Sequence, residues 1–162
     1  MRTVTRIRIR GSLDEVARYA ARVERWPDLL PHYRSVRVLE TRGAERIVEM
    51  RARRGRIPVW WWARQEVADQ RHIRYTHVRG ITRGMEVEWR LTPEDEGTVE
   101  VVVTHTLALR WPVVGPAIAR WIIGPLFVDP MARTTLRRIK ELAEGARTGA
   151  GAGRGADPEG GV

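Results

Sequence analysis

His105 is the residue of this chain whose side chain best suits acid–base chemistry near neutral pH, because an unperturbed imidazole titrates in that range. It falls on the apolar face of a predicted strand, beside Val103 and Leu107. Two interpretations fit this position. The imidazole is either a neutral, hydrogen-bonded part of the core or an acid or base that faces a cavity.

Three consecutive tryptophans and two charged residues occupy another predicted strand. Successive side chains of a strand point to opposite faces, so Trp60 and Trp62 share one face and Trp61 takes the other. If Trp60 and Trp62 face inward, Trp61 is exposed or faces a partner; the alternative is that Trp61 itself faces inward. Arg64 and Glu66 continue the face of Trp60 and Trp62. A buried charge without a partner costs several kcal/mol. The two charges therefore either pair inside a cavity, with each other or with a ligand, or lie in solvent at the rim of the sheet.

Other kinds of catalysis find no support in the sequence. The chain has no cysteine, its only serines are Ser12 and Ser35, and it has neither a Gly-x-Ser-x-Gly motif nor a glycine-rich phosphate loop. His72 and His77 are five residues apart on one predicted strand, so they face opposite sides and cannot hold one metal ion together. We expect neither a metal nor a cofactor.

The elements that must position these residues follow an α+β pattern. Residues 3–10 alternate as a half-buried strand, and Ser12 with Glu15 forms a capping box that begins a short helix. From residue 33 to residue 109 the apolar period is two, which predicts six further strands and seven in all.

The apolar period changes to that of a helix from residue 114 onward. Pro130 either begins the last helix, with Asp129 as its cap, or kinks a longer one. A bent antiparallel sheet with this helix across its concave face leaves a space between them. Either core side chains or a ligand must fill that space.

Residues 25–33, Arg-Trp-Pro-Asp-Leu-Leu-Pro-His-Tyr, join the first helix to the second strand. Pro27 suits the first turn of a helix, and Pro31 disfavours a helical conformation at the residue before it and so ends that turn. The segment predicts a rigid corner that carries Trp26 and Tyr33, with an aromatic ring pointing inward.

The Trp-Pro-Asp-Leu-Leu-Pro-x-Tyr motif, together with the order of the elements, resembles the START-like helix-grip superfamily, which includes the polyketide cyclase/dehydrase and coenzyme-Q-binding groups. The resemblance covers residues 3–144. It implies a helix-grip fold, in which a bent seven-stranded antiparallel sheet, a small helical corner and a long C-terminal helix enclose a cavity.

The resemblance also implies which side chains line this cavity. The expected ligand-binding residues are Trp26, Tyr33, Trp60, Trp62, Arg64, Met85, Val87, Trp89 and Thr135. The expected partner is a small hydrophobic molecule such as a lipid, a quinone or a polyketide-like compound. The same rings equally suit a filled core, since each aromatic side chain buries roughly 150–250 Å².

An enzyme is the alternative that the resemblance leaves open. A polyketide aromatase/cyclase or dehydratase would use the same cavity, with Tyr33 and Arg64 to orient and polarise a ketone and with His105 or Glu66 as the base. The chain departs from the aromatase/cyclases, however. Glu66 and Thr76 stand where those enzymes have arginines, so only part of their catalytic equipment is evident.

The net charge of the chain is +9, and 28 of its 29 basic residues are arginine. The arginines are spread along the chain and asparagine is absent, a composition consistent with a GC-rich coding sequence. We expect no specific nucleic-acid partner, since no binding motif is present. A third possible function is that of an interaction protein, in which the basic face of Arg6, Arg8 and Arg10 binds a ribosome or a protein partner.

The chain is expected to form one domain, residues 1–144, followed by a disordered glycine-rich tail, residues 145–162. The first 25 residues lack the apolar core of a signal peptide, which predicts a cytoplasmic protein. Residues 113–128 are apolar but too broken for a bilayer span. They either pack the start of the last helix or form a gate over the cavity that contacts a membrane peripherally.

Overall fold

The computed structural model describes residues 1–80, 82–94, 97–107 and 128–152. Within them, an N-terminal strand and two short helices precede six strands and a long helix. The helices are α1 (Leu13–Ala21), α2 (Trp26–Leu29), which follows a single 3-10 turn (Val23–Arg25), and α3 (Asp129–Ala152). The strands are β1 (Arg2–Arg10), β2 (Tyr33–Arg42), β3 (Glu45–Arg54), β4 (Ile57–Val67), β5 (His72–Gly80), β6 (Glu86–Glu94) and β7 (Thr98–Thr106).

The seven strands form one antiparallel sheet in the order β1-β7-β6-β5-β4-β3-β2. Strands β2 to β7 pair with their sequence neighbours, and β1 adds to the free edge of β7. The α+β class and the seven-stranded antiparallel sheet that the sequence predicts are confirmed. The helices pack on one side of this sheet, which we call the inner face.

Helix α1 begins as the capping box predicts. The Ser12 hydroxyl accepts a hydrogen bond from the Glu15 backbone N–H at 3.2 Å, which satisfies one of the free N–H groups at the helix start. Val16, Ala17 and Ala20 are buried on its apolar face. That face packs on the sheet at β6.

The corner after α1 has the rigidity that its prolines predict. Pro27 lies in the first turn of α2, and Leu30 is extended, with φ −119° and ψ 104°. Trp26 is buried, and its indole N–H donates to the carbonyl of Tyr19 in α1 at 2.9 Å. The corner therefore holds its tryptophan against α1 and directs it inward.

Helix α3 packs against β1 and begins near Pro130, which therefore lies in its first turn. The Lys140 ammonium group donates to the Arg8 carbonyl at 2.6 Å, and a Glu144 carboxylate oxygen accepts from the Arg10 N–H at 3.0 Å. The helix continues to Ala152, beyond residue 144, where the sequence predicted the folded part to end.

Some sequence-based expectations fall outside the described residues. They concern residues 113–127 of the predicted gate, which spans residues 113–128, and the last ten residues of the predicted tail. The division into a domain and a tail remains a prediction. No helix in the described part of the chain has the length and apolar character of a membrane span.

Gln65 joins α1 to the inner face of the sheet. Its amide nitrogen donates to the Ala21 carbonyl at 2.7 Å and to the Tyr75 hydroxyl at 2.9 Å, while its amide oxygen accepts from the Arg46 guanidinium group. The Tyr75 hydroxyl donates in turn to the Ala20 carbonyl at 2.9 Å. Gln65 is fully buried, so these bonds satisfy polar groups that water does not reach.

We expect the Gln65→Leu substitution to lower the free energy of unfolding by about 2–4 kcal/mol, because it leaves buried donors and acceptors without partners. Urea unfolding followed by tryptophan fluorescence measures this change. Gln70→Leu is the matched control, since Gln70 is exposed and bonds to Asp14 at the surface. Equal losses in the two variants would show that the buried network contributes nothing specific.

Candidate functional site

A chain of aromatic rings crosses the inner face of the sheet. The Trp26 ring lies 4.9 Å from that of Tyr33, edge to face, and 6.1 Å from that of Trp89. Tyr33 lies 6.1 Å from Trp61, which stacks on the imidazole of His77 at 5.4 Å and 12°. These five residues form the aromatic wall of what we call the inner site.

One polar group of the inner site lies where the helical corner meets α3. The Thr135 hydroxyl is 3.0 Å from Nε2 of His32 and also forms a hydrogen bond with the Tyr33 hydroxyl. Burial raises the pKa of Tyr33 and lowers the pKa of His32, so both side chains are neutral at neutral pH. The group can offer a hydroxyl or an imidazole nitrogen to a ligand without presenting a charge.

A second polar group consists of two buried histidines. His77 Nδ1 lies 2.7 Å from the Thr82 hydroxyl oxygen. Burial lowers the pKa of His77 to about 3, with a smaller effect from the charge of His105. Burial likewise lowers the pKa of His105 to about 4, so both imidazoles are neutral at neutral pH.

His105 and its neighbour on β1 carry buried polar atoms without partners. Nδ1 of His105 forms no hydrogen bond with any described residue, and neither does Oγ1 of Thr3. Thr3 is directly opposite His105 in the β1–β7 ladder, so the two atoms belong to one region of the inner face. Buried polar atoms normally bond to protein, water or a ligand, so these two atoms are available to a ligand. Nδ1 of His32, in the first polar group, likewise has no partner among the described residues.

Most of the side chains predicted to line the cavity do reach the inner face and are buried there. They are Trp26, Tyr33, Met85, Val87, Trp89 and Thr135, and His105, the candidate base, is buried there as well.

The prediction that four residues of β4 face the cavity is wrong. Trp60, Trp62, Arg64 and Glu66 alternate with the buried Trp61, Ala63 and Gln65, and so lie on the outer face. Trp60 is 49% exposed. Arg64 and Glu66 are therefore on the opposite side of the sheet from Tyr33 and cannot act with it on one ligand.

Strand pairing explains which face of β4 is buried. Trp61 is opposite Met50 in β3, and Ala63 is opposite Val48. Met50 and Val48 are buried, so the inward face of β4 extends the buried apolar face of β3. The sequence contained the necessary signal in the charges of Arg64 and Glu66, which favour the solvent-facing side of a strand. The resemblance had assigned the opposite face.

Sequence reasoning missed the roles of several inner residues. His77 was considered only as a metal ligand. For Trp61 an inward position was only the alternative to an exposed or partner-facing one, and no contact with Tyr33 or His77 was expected. Thr3 was one unremarked residue of an alternating strand. His32 was only one residue of the Trp-Pro corner, yet it is half-buried and bonded to Thr135. The local sequence does not show most of these contacts, because they join residues far apart in the chain, such as His32 with Thr135 and Thr3 with His105.

A seven-stranded antiparallel sheet, a helical corner and a C-terminal helix over an aromatic inner face define the helix-grip class, as the resemblance predicted. Residues 11–123 match the family model described as polyketide cyclase / dehydrase and lipid transport, and the chain belongs to this family. No functionally curated protein matches the chain significantly in sequence.

Solved structures share this fold at low sequence identity. The aromatase/cyclase Zhui from a Streptomyces species has a TM-score of 0.82 and 21% identity, over 93% of this chain and 98% of that one. A protein from Thermus thermophilus, TTHA0849, has a TM-score of 0.76 and 22% identity, over 90% and 99%. A START superfamily protein from Mycobacterium smegmatis has a TM-score of 0.72 and 10% identity, over 90% and 98%.

The two buried histidines predict a pH dependence of stability. Their pKa values in the folded chain, about 3 and about 4, lie below the ordinary value of 6.5. Between about pH 6.5 and pH 4 the unfolded chain thus binds protons that the folded chain does not. The free energy of unfolding should fall as the pH is lowered through this range, by about 1 kcal/mol per pH unit for each histidine.

Urea unfolding at a series of pH values, compared between the wild type and the His105→Gln variant, measures this effect. In the variant the free energy of unfolding should depend less steeply on pH, by the contribution of His105. This comparison holds whatever the stability of the variant is at pH 7. His72→Gln is the matched control, because His72 is exposed. A slope that His105→Gln leaves unchanged would mean that His105 is not held neutral by burial.

Proposed function

We propose that the inner site binds a small, neutral, hydrophobic molecule that carries at least one carbonyl or hydroxyl group. The observation that carries this proposal is that Nδ1 of His105 and Oγ1 of Thr3, opposite each other in the β1–β7 ladder, have no hydrogen-bond partner among the described residues, on a face otherwise lined by aromatic rings. Ligand pockets combine this kind of apolar wall with a few polar groups.

The neutrality of the site favours a neutral ligand. His77 and His105 have lowered pKa values, and Tyr33 has a raised one, so none of them is charged at neutral pH. An anion placed there would lose its hydration without gaining a cationic partner from these groups. Burial of about 300 Å² of apolar ligand surface contributes roughly 7 kcal/mol before the costs of association.

Two polar positions would orient such a ligand. His105 and Thr3 lie on adjacent strands, while Tyr33 and Thr135 lie where the helical corner meets α3. Thr135 is buried, so a ligand oxygen that bonds to its hydroxyl would be shielded from water. The family description, which names lipid transport beside polyketide cyclase and dehydrase, supports a ligand of this type.

Titration with menadione, a neutral naphthoquinone, tests the proposal. We expect saturable quenching of tryptophan fluorescence, and the absence of cysteine excludes the usual addition of thiols to the quinone. The Thr135→Val substitution keeps the side-chain shape but removes the hydroxyl, so it should weaken binding by about fivefold.

Thr104→Val is the matched control, because Thr104 lies on the outward-facing side of β7. It should leave the dissociation constant unchanged. Quenching that does not saturate, or that responds equally to the two threonine variants, would contradict binding in the inner site.

A second candidate function is cyclisation of a poly-β-ketone, and the neutral imidazole of His105 favours it. His105 would take a proton from a carbon next to a ketone, and the Tyr33 hydroxyl would donate a hydrogen bond to the ketone oxygen. The enolate would attack a second carbonyl carbon of the same chain, and the new alkoxide would take the proton back. A pKa of about 4 makes His105 a weak base, which is why binding is proposed first.

If this second function holds, the His105→Gln variant should lose turnover of a poly-β-ketone substrate by at least about 100-fold while it still binds menadione. Arg64→Ala should have no effect, because Arg64 is exposed on the outer face. Product analysis by liquid chromatography and mass spectrometry measures the turnover. Full activity of His105→Gln would exclude His105 as the base.

A further inference from the structure

The outer face of the sheet has a cleft of about 650 Å³ across β2, β3, β4 and β5. Two tryptophans and a group of arginines line most of it. We call it the Arg–Trp cleft and define it by Trp60, Trp62, Arg34, Arg53, Arg56 and Arg79. The proposed function of the inner site makes no use of these residues.

The Trp62 ring is held in place by an ionised carboxylate. Its indole N–H donates to Oε2 of Glu49 at 3.1 Å, while Oε1 of Glu49 accepts from Arg37 at 2.6 Å and lies 3.3 Å from Arg51. The hydrogen bond from Arg37 is the main cause of the lowered pKa of Glu49. The negative charge is thus compensated within the protein, and the indole ring forms a fixed wall.

An irregularity of strand pairing directs Arg79 into the cleft. Trp62 pairs with Arg79, whereas the next residue of β4, Ala63, pairs with His77, so β5 has one extra residue at this point. This bulge lets His77 point inward and Arg79 point outward. The Arg79 guanidinium carbon lies 4.8 Å from the centre of the Trp62 ring and 5.9 Å from that of Trp60.

Gly80 allows the backbone to take this path. Its φ is +104°, a value that residues with a side chain rarely adopt, and an added Cβ would lie 2.7 Å from the Trp60 carbonyl oxygen. The position of Arg79 beside the tryptophans is therefore built into the backbone of β5.

The positive charge of the cleft is only partly neutralised: Glu49, which also lines it, pairs with Arg37 and Arg51. Arg34, Arg53, Arg56 and Arg79 form no ion pair with any described residue. Toward the opposite edge of the sheet, on the same outer face, the arginines of β1 and β6 do pair with glutamates. Those pairs are Arg6–Glu100, Arg8–Glu94 and Arg90–Glu88.

We propose that the Arg–Trp cleft binds a small organic anion with a planar ring, a nucleotide or an aromatic carboxylate. The ring would stack on the exposed Trp60, and the anionic group would accept hydrogen bonds from Arg53, Arg56 or Arg79. The volume is that of a small-molecule site. The glutamates of β6 and β7 disfavour a longer polyanion that extends across the sheet.

Isothermal titration calorimetry with matched probes tests this proposal. AMP and 2-naphthoate have both a ring and an anionic group, whereas ribose 5-phosphate has no aromatic ring and adenosine has no charge. We expect AMP, 2-naphthoate or both to bind, and the two incomplete probes to bind at least about tenfold more weakly. Binding of AMP alone would assign the cleft to nucleotides, and binding of 2-naphthoate alone would assign it to aromatic carboxylates.

Two arginine variants and one control locate the binding. Arg79→Ala and Arg53→Ala should each weaken binding of the complete probe by about tenfold. Arg74→Ala, which removes an exposed arginine outside the cleft, should change it little. Circular dichroism of each variant checks that the fold is retained.

Several outcomes would overturn the proposal. Ribose 5-phosphate that binds as tightly as AMP would show that the cleft binds anions without recognising a ring. In a titration with oligonucleotides, an affinity that rises steadily with their length would show a surface for nucleic-acid polymers. Binding that Thr135→Val weakens but neither arginine variant changes would place the probe in the inner site. If neither AMP nor 2-naphthoate binds, the proposed ligand class of the cleft is refuted. The menadione result would stand, because it concerns the inner face.

Discussion

The inner site depends on the hydrogen bonds that Gln65 makes between the sheet and the end of α1. Its amide bonds to the Ala21 carbonyl and to Tyr75, which bonds to the Ala20 carbonyl. These are carbonyls of the last turn of a helix, which need partners from outside the helix. Because the Trp26 indole is bonded to α1 as well, any shift of α1 would move this ring away from Tyr33 and Trp89.

Gln65 also fixes the orientation of β4, because side chains two positions apart share a face. With Gln65 inside, Trp61 is inside and Trp60 and Trp62 are outside. The three tryptophans therefore serve two surfaces, one ring in the inner aromatic chain and two in the Arg–Trp cleft. The bulge at Ala63 and His77 lets β5 contribute to both surfaces as well, with His77 in the inner site and Arg79 in the cleft.

The general fold could be predicted from the sequence because its signals are local. The capping box of Ser12, the prolines of the corner and the period of two across seven strands each depend on residues close in the chain. The inner position of Trp26, Tyr33 and Thr135 followed from the family resemblance. The resemblance did not give the correct inward face of β4. That face depends on pairing with β3 and on a buried glutamine, which a hydrophobic pattern counts as an exposed polar residue.

The two faces of the sheet differ in charge, and this difference limits what each can bind. Inside, burial keeps His77 and His105 neutral, and their neutrality disfavours an anionic guest. Outside, four arginines of the cleft have no acidic partner among the described residues, and they remain hydrated until an anion arrives. Under the two proposals, a neutral aromatic ketone would bind on the inner face and an aromatic carboxylate on the outer face of the same sheet. Because aromatic rings line both faces, we expect charge rather than shape to decide which face a flat molecule prefers.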